Sequence, residues 1–150
     1  MRLLFVCTGN ICRSPTAEAV LRHKAAAAGI GDRLTIDSAA TRDWNVGLPA
    51  SRLTIACAEA KDYEIRGLVA RQVAASDFTD FDRIFAMAYG HLRELERLKP
   101  PASTATIRMF LQDGEVADPF GGMRADYERC LDIIEARCDV LIEQLKAGRL

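Results

Sequence analysis

The sequence predicts an α/β fold, a three-layer α/β/α arrangement with a four-stranded parallel sheet flanked by helices. Four short apolar segments alternate along the chain with segments of helical periodicity. The segments Leu3 to Val6 and Ile84 to Met87 are apolar at every position, which is typical of strands covered on both faces. In such folds ligands bind at the carboxyl ends of the strands, so we expect functional residues in the loops that follow them.

Each predicted element follows from a local pattern. The strands are predicted at Arg2 to Val6, Leu34 to Ser38, Arg83 to Met87 and Ala105 to Phe110. The helices are predicted at Pro15 to Ala28, Pro49 to Lys61, His91 to Leu98 and Ala125 to Lys146. The first helix has Ser14 as a candidate N-cap and Pro15 at its first position. Glu18 adds a first-turn carboxylate, and Gly29 is predicted to end this helix.

The other helices each show one apolar face. The inward residues are predicted to be Leu53, Ala56, Cys57 and Ala60 in the second helix, and Leu92, Leu95 and Leu98 in the third. In the last helix they are Tyr127, Leu131, Ile134, Cys138, Leu141 and Leu145, with Cys130 beside this stripe. His23 and His91 are predicted at helix surfaces.

Size and charge restrict the class of protein. A chain of 150 residues with 49% apolar content forms one domain, which we place at residues 1–150. A net charge of −1 argues against a protein that binds nucleic acid or a membrane by bulk electrostatics. The apolar part of the first seven residues is too short for a signal peptide, and no segment is long enough to span a bilayer. We expect a cytoplasmic protein, with a monomer as its oligomeric state.

The cysteine and histidine counts bear on redox compartment and metals. Five cysteines, without the paired spacing of a disulfide framework, favour a reducing compartment. Only two histidines are present, and Cys7 and Cys12 form the one close cysteine pair, with no second pair to complete a zinc site. We therefore expect no metal and no cofactor.

The segment after the first predicted strand carries the strongest chemical signal. Cys7 and Arg13 bracket Thr8, Gly9, Asn10, Ile11 and Cys12, and Ser14 and Pro15 follow. A Gly-containing turn at the start of a helix points amide groups and the positive end of the helix dipole at an anion. These amides and the Arg13 guanidinium favour the ionised, nucleophilic form of a cysteine thiol at this turn, and the planar guanidinium matches two phosphoryl oxygens. Taken singly, Cys7 could be a buried residue at a strand end and Arg13 a surface charge.

The segment VCTGNICRSPTAEAV, Val6 to Val20, resembles the signature loop of the low-molecular-weight protein tyrosine phosphatases. The resemblance continues through SAATRDWNVG at Ser38 to Gly47, ARQVAASDFTDFDRIFAM at Ala70 to Met87 and GEVADPFGG at Gly114 to Gly122. It thus covers nearly the whole chain, and the four-stranded parallel sheet of that family agrees with the fold predicted above.

The resemblance implies a mechanism and a substrate. Cys7 stands where the family has its nucleophile, Arg13 where it has the phosphate-binding arginine and Asp118 where it has the general acid of an Asp-Pro pair. The expected reaction is hydrolysis of phosphotyrosine in proteins through a phosphocysteine intermediate, so the expected partner is a tyrosine-phosphorylated protein. Without the resemblance, Asp118 and Pro119 would be ordinary turn residues.

Supporting roles are expected around these three residues. Ser14 can donate its hydroxyl proton to the Cys7 sulfur, besides any capping role. Asn10 and Ser38 resemble residues that fix the loop through hydrogen bonds, although Asn10 can also be a simple left-handed turn residue and the Ser38 hydroxyl can satisfy nearby backbone. Cys12 can form a disulfide with Cys7 that protects the nucleophile, or it can be a small buried residue.

The substrate pocket is expected to be aromatic. Trp44 lies between Asp43 and Asn45 in a loop, which favours contact with a substrate ring, whereas Phe120 is as consistent with packing as with substrate contact. Ile11 stands where related arginine phosphatases carry threonine, and its apolar side chain suits an aromatic substrate.

Two positions depart from the family pattern. Ala88 follows Met87 where an acidic residue is usual, so we expect support of the site edge to differ. Gly121 follows Phe120 where a second aromatic residue is usual, so substrate preference and regulation by phosphorylation are expected to differ.

Two alternative functions are considered. A thiol-dependent arsenate reductase of the same fold needs a further cysteine pair on a mobile segment, and no such pair lies near Asp118. A non-catalytic phosphate-binding redox sensor would use Cys7 and Cys12 but would have no use for Asp118.

Overall fold

The computed structural model describes all 150 residues. Its four strands are β1 (Arg2–Cys7), β2 (Thr35–Ala40), β3 (Arg83–Ala86) and β4 (Thr106–Met109). Its helices are α1 (Arg13–Ala27), α2 (Arg52–Glu59), α3 (Asp77–Asp80), α4 (Tyr89–Leu98) and α5 (Arg124–Lys146), with a 3₁₀ turn at Gly31–Arg33. No helix is long and apolar enough to cross a lipid bilayer.

All strands are parallel and lie in the order β2-β1-β3-β4. Alternate residues of β1 point to opposite faces of the sheet, where they enter two separate apolar clusters. Leu3 and Phe5 pack with α1 and α5 on one face, and Leu4 and Val6 pack with α3 and α4 on the other. The predicted three-layer α/β/α fold with a four-stranded parallel sheet is confirmed.

The predicted elements are present, with shifts at their ends. Strand β2 runs to Ala40, two residues beyond the predicted end, because it pairs with the whole of β1. Helix α2 begins only at Arg52, since Ser51 is extended and Pro49 forms an antiparallel bridge with Val69. The sequence analysis missed both the 3₁₀ turn and the four-residue α3.

Several predictions about α1 are wrong. The helix begins at Arg13, with Cys12 as N-cap and no capping side chain, so Ser14 lies inside the first turn instead of capping it. Glu18 consequently falls outside the first turn and faces β2. The stop was predicted correctly, because Gly29 adopts the left-handed φ of 74° that a helix end favours.

Burial along the other helices mostly follows the predicted faces. All the predicted inward residues of α5 are buried except Leu145, which is half-buried, and Cys130 is buried as well. Ala60 was wrongly placed inward, since it is exposed beyond the end of α2. Leu98 at the end of α4 was also wrongly placed inward, since it is 38% exposed. His23 is exposed as expected, but His91 is only 6% exposed, which contradicts its predicted surface position.

Candidate active site

The first strand and the first helix together build an anion-binding loop, which we define as Cys7 to Ser14 (the anion loop). Strand β1 ends at Cys7, and α1 begins at Arg13, so the turn between them lies at the carboxyl edge of the sheet. The amide groups of the first turn of α1 face this turn. The Cys7 and Arg13 side chains, 3% and 6% exposed, belong to it.

Cys7 has one side-chain partner. Its Sγ lies 3.0 Å from Ser14 Oγ, inside the buried part of the loop. Ser14 Oγ also accepts a hydrogen bond of 2.8 Å from Asn10 Nδ2, so its own hydroxyl proton is free to point at the sulfur. The expected contact between Ser14 and Cys7 is present in the structure.

Asn10 occupies the centre of the buried network. Its φ of 57° is left-handed, as an asparagine in a tight turn tolerates, and its Nδ2 also donates to Ser38 Oγ at 2.9 Å. Its Oδ1 accepts from the backbone amide of Arg71 at 3.1 Å. Both alternatives considered for Asn10 therefore hold: it is a left-handed turn residue and it connects the loop to β2.

The network continues to the carboxyl group of Glu18, which the sequence analysis placed in the first turn of the first helix. Ser38 Oγ donates to Glu18 Oε2 at 2.5 Å, and Arg22 donates to Glu18 Oε1 at 2.8 Å. Burial raises the pKa of Glu18, which the hydrogen bond from Ser38 and the charge of Arg22 oppose. Glu18 thus holds Ser38, which in turn holds Asn10.

Gly9 makes room for a neighbouring loop. Asn45 Nδ2 donates to the Gly9 carbonyl at 3.2 Å, and a Cβ at position 9 would collide with this nitrogen. The absence of a side chain at Gly9 therefore lets the Asn45 amide approach the loop and make this hydrogen bond. Asn45, which the sequence analysis mentioned only as a neighbour of Trp44, is a structural partner of the anion loop.

Arg13 connects the anion loop to the segment that carries Asp118. Its Nη1 donates to the Val116 carbonyl at 2.9 Å, and its Nη2 lies 3.5 Å from Asp118 Oδ2. Its buried Nε has no hydrogen-bond partner within the protein. A buried guanidinium with a free donor at the loop can bind an anionic oxygen.

The segment Gly114 to Gly122 (the acid loop) presents Asp118. The Asp118 side chain is 51% exposed, and its Oδ1 accepts from the amide of Phe120 at 3.1 Å. Gly121 has a left-handed φ of 81°, which explains why an aromatic residue is disfavoured at this departure from the family pattern.

The other departure, Ala88, lies just before α4. Its side chain cannot cap the helix, but Glu115 Oε2 of the acid loop accepts a 2.8 Å hydrogen bond from the Tyr89 amide. A carboxylate from another loop therefore stabilises the amino end of α4. Support of this edge of the site was expected to differ because Ala88 replaces an acidic residue, and here Glu115 of the acid loop supplies the carboxylate.

A single pocket of about 170 Å³ contains most of the predicted site residues. Cys7, Arg13 and Asp118 line it, and Trp44 and Phe120, 70% and 65% exposed, stand at its rim. The remaining lining residues are Thr8, Gly9, Ile11, Cys12 and Asn45. Asn10, Ser14 and Ser38 lie behind the loop and support it instead of lining the pocket.

Cys12 is only 4% exposed, although it contributes to the lining of the pocket. Its Sγ lies 3.3 Å from Ser51 Oγ, and burial raises the pKa of its thiol. Cys7 and Cys12 are both free thiols, so the disulfide between them stays a prediction. The structure contains no group of three or more His, Cys, Asp or Glu side chains arranged to hold a metal ion.

His91, like Asn45, is a site residue that the sequence analysis missed. Its Nε2 lies 2.8 Å from Thr8 Oγ1, and burial followed by the charge of Arg13 lowers its pKa to about 4. The spacing of His91 and Leu95, four residues apart on α4, places both on one helix face and could have indicated this burial.

Comparison with known proteins identifies relatives across the whole chain. A family model described as "Low molecular weight phosphotyrosine protein phosphatase" matches residues 2–149. A low molecular weight protein-tyrosine-phosphatase of Streptomyces coelicolor is 38% identical over 154 residues, covering 97% of this chain and 93% of the relative. A low molecular weight phosphotyrosine protein phosphatase of Homo sapiens is 32% identical over 149 residues, covering 95% and 94%.

Solved structures agree with these sequence matches. A crystal structure of a protein tyrosine phosphatase from Entamoeba histolytica, with Hepes in its active site, superimposes with a TM-score of 0.93 at 35% identity. That match covers 100% of this chain and 99% of the other. The crystal structure of YfkJ from Bacillus subtilis gives a TM-score of 0.90 at 30% identity and covers 100% and 97%. This chain therefore belongs to the low molecular weight protein-tyrosine phosphatase family.

Proposed function

We propose that this phosphatase hydrolyses phosphotyrosine in proteins through a phosphocysteine intermediate. In this proposal Cys7 is the nucleophile, Arg13 binds the phosphoryl group and Asp118 is the general acid and then the general base. The observation that carries the proposal is the meeting of these three side chains in one pocket at the amino end of α1.

Binding of the phosphoryl group needs donors for three equatorial oxygens, over which the transition state spreads its charge. The backbone amides from Thr8 to Ser14 supply fixed donors, and the Arg13 Nε is a further donor without a competing partner. Because hydrogen bonds from Asn10 and Asn45 hold the loop and the Arg13 Nε is buried, these donors are already in place and little reorganisation accompanies the reaction.

In the first chemical step the Cys7 thiolate attacks phosphorus in line with the departing oxygen. The sulfur–phosphorus bond forms as the bond from phosphorus to the phenolic oxygen breaks, and Asp118 gives its proton to that oxygen. The hydroxyl of Ser14, 3.0 Å from the sulfur, stabilises the thiolate.

In the second step water attacks the phosphocysteine. Asp118, now ionised, takes a proton from the water as the new phosphorus–oxygen bond forms, and the sulfur leaves as the thiolate that Ser14 again stabilises. Inorganic phosphate is released, and the enzyme returns to its starting protonation state.

The rim residues support an aromatic substrate. Trp44 and Phe120 offer exposed ring surfaces at the pocket mouth, and Ile11 adds an apolar side chain. A phenyl ring between these side chains brings its phosphoryl group to Cys7, whereas phosphoserine is too short to use them.

The proposal also covers the domain organisation, the partner, the oligomeric state and the cellular location of the protein. We propose that residues 1–150 act as one phosphatase domain with a tyrosine-phosphorylated protein as its partner, and as a monomer. All five cysteines are free thiols, which supports a reducing, cytoplasmic location. Cys57, Cys130 and Cys138 are buried on α2 and α5, which disfavours the disulfide relay of an arsenate reductase.

The test compares hydrolysis of an aryl phosphate and a phosphotyrosine peptide by wild type, Cys7→Ser and Asp118→Ala. Cys57→Ser, which changes a cysteine outside the pocket, is the matched control. We expect no turnover by Cys7→Ser, slow turnover by Asp118→Ala, and wild-type activity that chelators leave unchanged and that is highest at mildly acidic pH. Thioredoxin-coupled turnover of arsenate would instead assign a reductase, and wild-type protein without turnover would indicate a sensor.

A further inference from the structure

His91 has a position and a set of contacts that the reaction above does not use. It is the third residue of α4, 6% exposed, with Nε2 2.8 Å from the hydroxyl oxygen of Thr8. Its Nδ1 is buried and has no hydrogen-bond partner within the protein. His91 does not line the pocket, so it can act on the reaction only through a residue that does.

We propose that His91 is a positioning residue, whose imidazole fixes the side chain of Thr8 and thereby the peptide units of the anion loop that follow the nucleophile. The inference rests on the proposed function, because it assigns to the loop the binding of a phosphoryl group.

Thr8 is the loop residue whose side chain depends on α4. Its carbonyl accepts from the Arg42 amide at 3.1 Å, so the backbone side is held by the segment after β2. Its hydroxyl has His91 as its partner. Gly9 and Asn10 are held by other residues, so loss of the imidazole releases one defined part of the loop.

The charged groups around His91 keep the imidazole neutral. Burial and the positive charge of Arg13 on α1 lower its pKa to about 4, against the smaller effect of Asp118 and Glu115 on the acid loop. A protonated ring would add a second positive charge beside Arg13 in a buried site. The neutral ring keeps one charge state across the pH range in which the reaction runs.

The unpartnered Nδ1 argues for a role in function and against a role in packing. A buried polar atom without a partner costs stability, and an apolar ring of similar shape would avoid this cost. His91 is therefore a poor choice for stability alone. A structural role predicts that substitution lowers stability and activity together, whereas a positioning role predicts that they separate.

The experiment uses His91→Gln, His91→Asn, His91→Phe and Thr8→Val, with His23→Phe on the exposed face of α1 as matched control. Glutamine carries its amide nitrogen near the place of the imidazole Nε2, and asparagine near that of Nδ1. For each protein the dissociation constant of inorganic phosphate, kcat and KM for an aryl phosphate, and the urea midpoint at pH 7 are measured.

We expect His91→Phe, His91→Asn and Thr8→Val each to weaken phosphate binding by roughly 5- to 10-fold, the effect of one hydrogen bond. The double variant Thr8→Val with His91→Phe should be no weaker than either single variant, because both remove the same contact. His91→Gln should restore most of the affinity, and the urea midpoint of His91→Phe should not fall.

Unchanged phosphate affinity in His91→Phe, additive effects in the double variant, or a fall in the urea midpoint that matches the loss of affinity would each overturn the inference. Phosphate binding is measured without turnover, so the positioning role of His91 can fail or hold independently of the proposed phosphatase activity. Wild-type protein that binds phosphate but hydrolyses no aryl phosphate would refute the proposed function while leaving the coupling of Thr8 and His91 measurable.

Discussion

The anion loop is held along its whole length and is buried except at Thr8, Gly9 and Ile11, which are partly exposed, whereas the acid loop is mostly exposed and held chiefly at its beginning. Asn10, Ser14 and Ser38 form a continuous buried network behind the anion loop. On the acid loop, the Val116 amide donates to the Met87 carbonyl at 2.9 Å. Beyond Val116, Asp118 contacts Arg13 at 3.5 Å and otherwise has only a bond within its own turn.

This difference matches what each loop is proposed to do. Stabilising a transition state requires donors that do not move, and the dense contacts of the anion loop provide them. A proton donor must meet a leaving group that differs between substrates, and an exposed side chain on a lightly held segment can adjust. Substitutions in the two loops should therefore lower activity by different amounts, and the losses should differ in whether they depend on the leaving group.

The largest effect is expected at the acid loop. Asp118→Asn removes the proton donor and should lower kcat/KM by about 10²- to 10⁴-fold for phenyl phosphate, while leaving the urea midpoint unchanged because the side chain is exposed. For p-nitrophenyl phosphate, whose leaving group needs less protonation, the loss should be much smaller. Asp113→Asn, at an exposed position before the acid loop, is the control. Equal losses for both substrates would contradict general acid catalysis.

A change in the anion loop should be independent of the leaving group. Arg13→Lys replaces a planar fork by a single ammonium group and removes the contact with Val116, so kcat/KM should fall about 10²- to 10³-fold for both aryl phosphates. Arg52→Lys at the exposed start of α2 serves as the matched control. A loss that depends on the leaving group would place Arg13 in proton transfer instead.

The free energy of unfolding of the protein should depend on pH through His91, which contacts the anion loop at Thr8. Between pH 6.5 and pH 4 the unfolded chain takes up a proton at this residue and the folded chain, with a pKa of about 4, does not. The free energy of unfolding should therefore fall as the pH falls through this window, by on the order of 2–3 kcal/mol for this one group. Urea unfolding at pH 7 and pH 4.5 should show a smaller loss in His91→Gln than in wild type, and equal losses would mean that His91 is protonated in the folded protein.

Asn10 tests the rigidity of the anion loop directly. Asn10→Ala removes three hydrogen bonds and places a Cβ-bearing residue without a polar side chain at φ 57°, so urea unfolding should show a loss of about 2–4 kcal/mol. Asn10→Gly should lose about 1 kcal/mol less, because glycine tolerates this backbone. Asp62→Ala is the control, since exposed Asp62 has a similar φ of 65° and should lose about 1 kcal/mol at most.

The sequence was sufficient for the fold and for the anion loop because each left a local pattern, whereas Asp118 was found only through the family resemblance and Asn45 was missed. The apolar runs of β1 and β3 and the stripe of α5 specify buried faces by spacing alone. Cys7 to Ser14 are contiguous, so their chemistry is visible before folding. The contacts of Glu18, Asn45 and His91 depend on which elements meet, and no local pattern records this.

The predicted start of α1 was wrong for a related reason. Ser14 and Pro15 are typical helix-start residues, but α1 begins at Arg13 because the anion loop directs Ser14 toward Cys7 and Asn10. The preference of serine for an N-cap is worth about 1 kcal/mol, which two buried hydrogen bonds can outweigh.

The smallest effect is expected where the acid loop meets α4. Glu115→Gln keeps an acceptor for the Tyr89 amide but removes the charge at the amino end of the helix, so stability should fall by only about 0.5 kcal/mol. Because this contact fixes the beginning of the acid loop and not Asp118 itself, kcat for phenyl phosphate should fall by less than about twofold. Glu94→Gln, in the middle of α4 and away from its amino end, is the control for charge, although it gives up the ion pair with Arg97. A large loss of activity in Glu115→Gln alone would show that the exposed part of the acid loop is positioned from its beginning, and the contrast between a held loop and an adjustable loop would no longer stand.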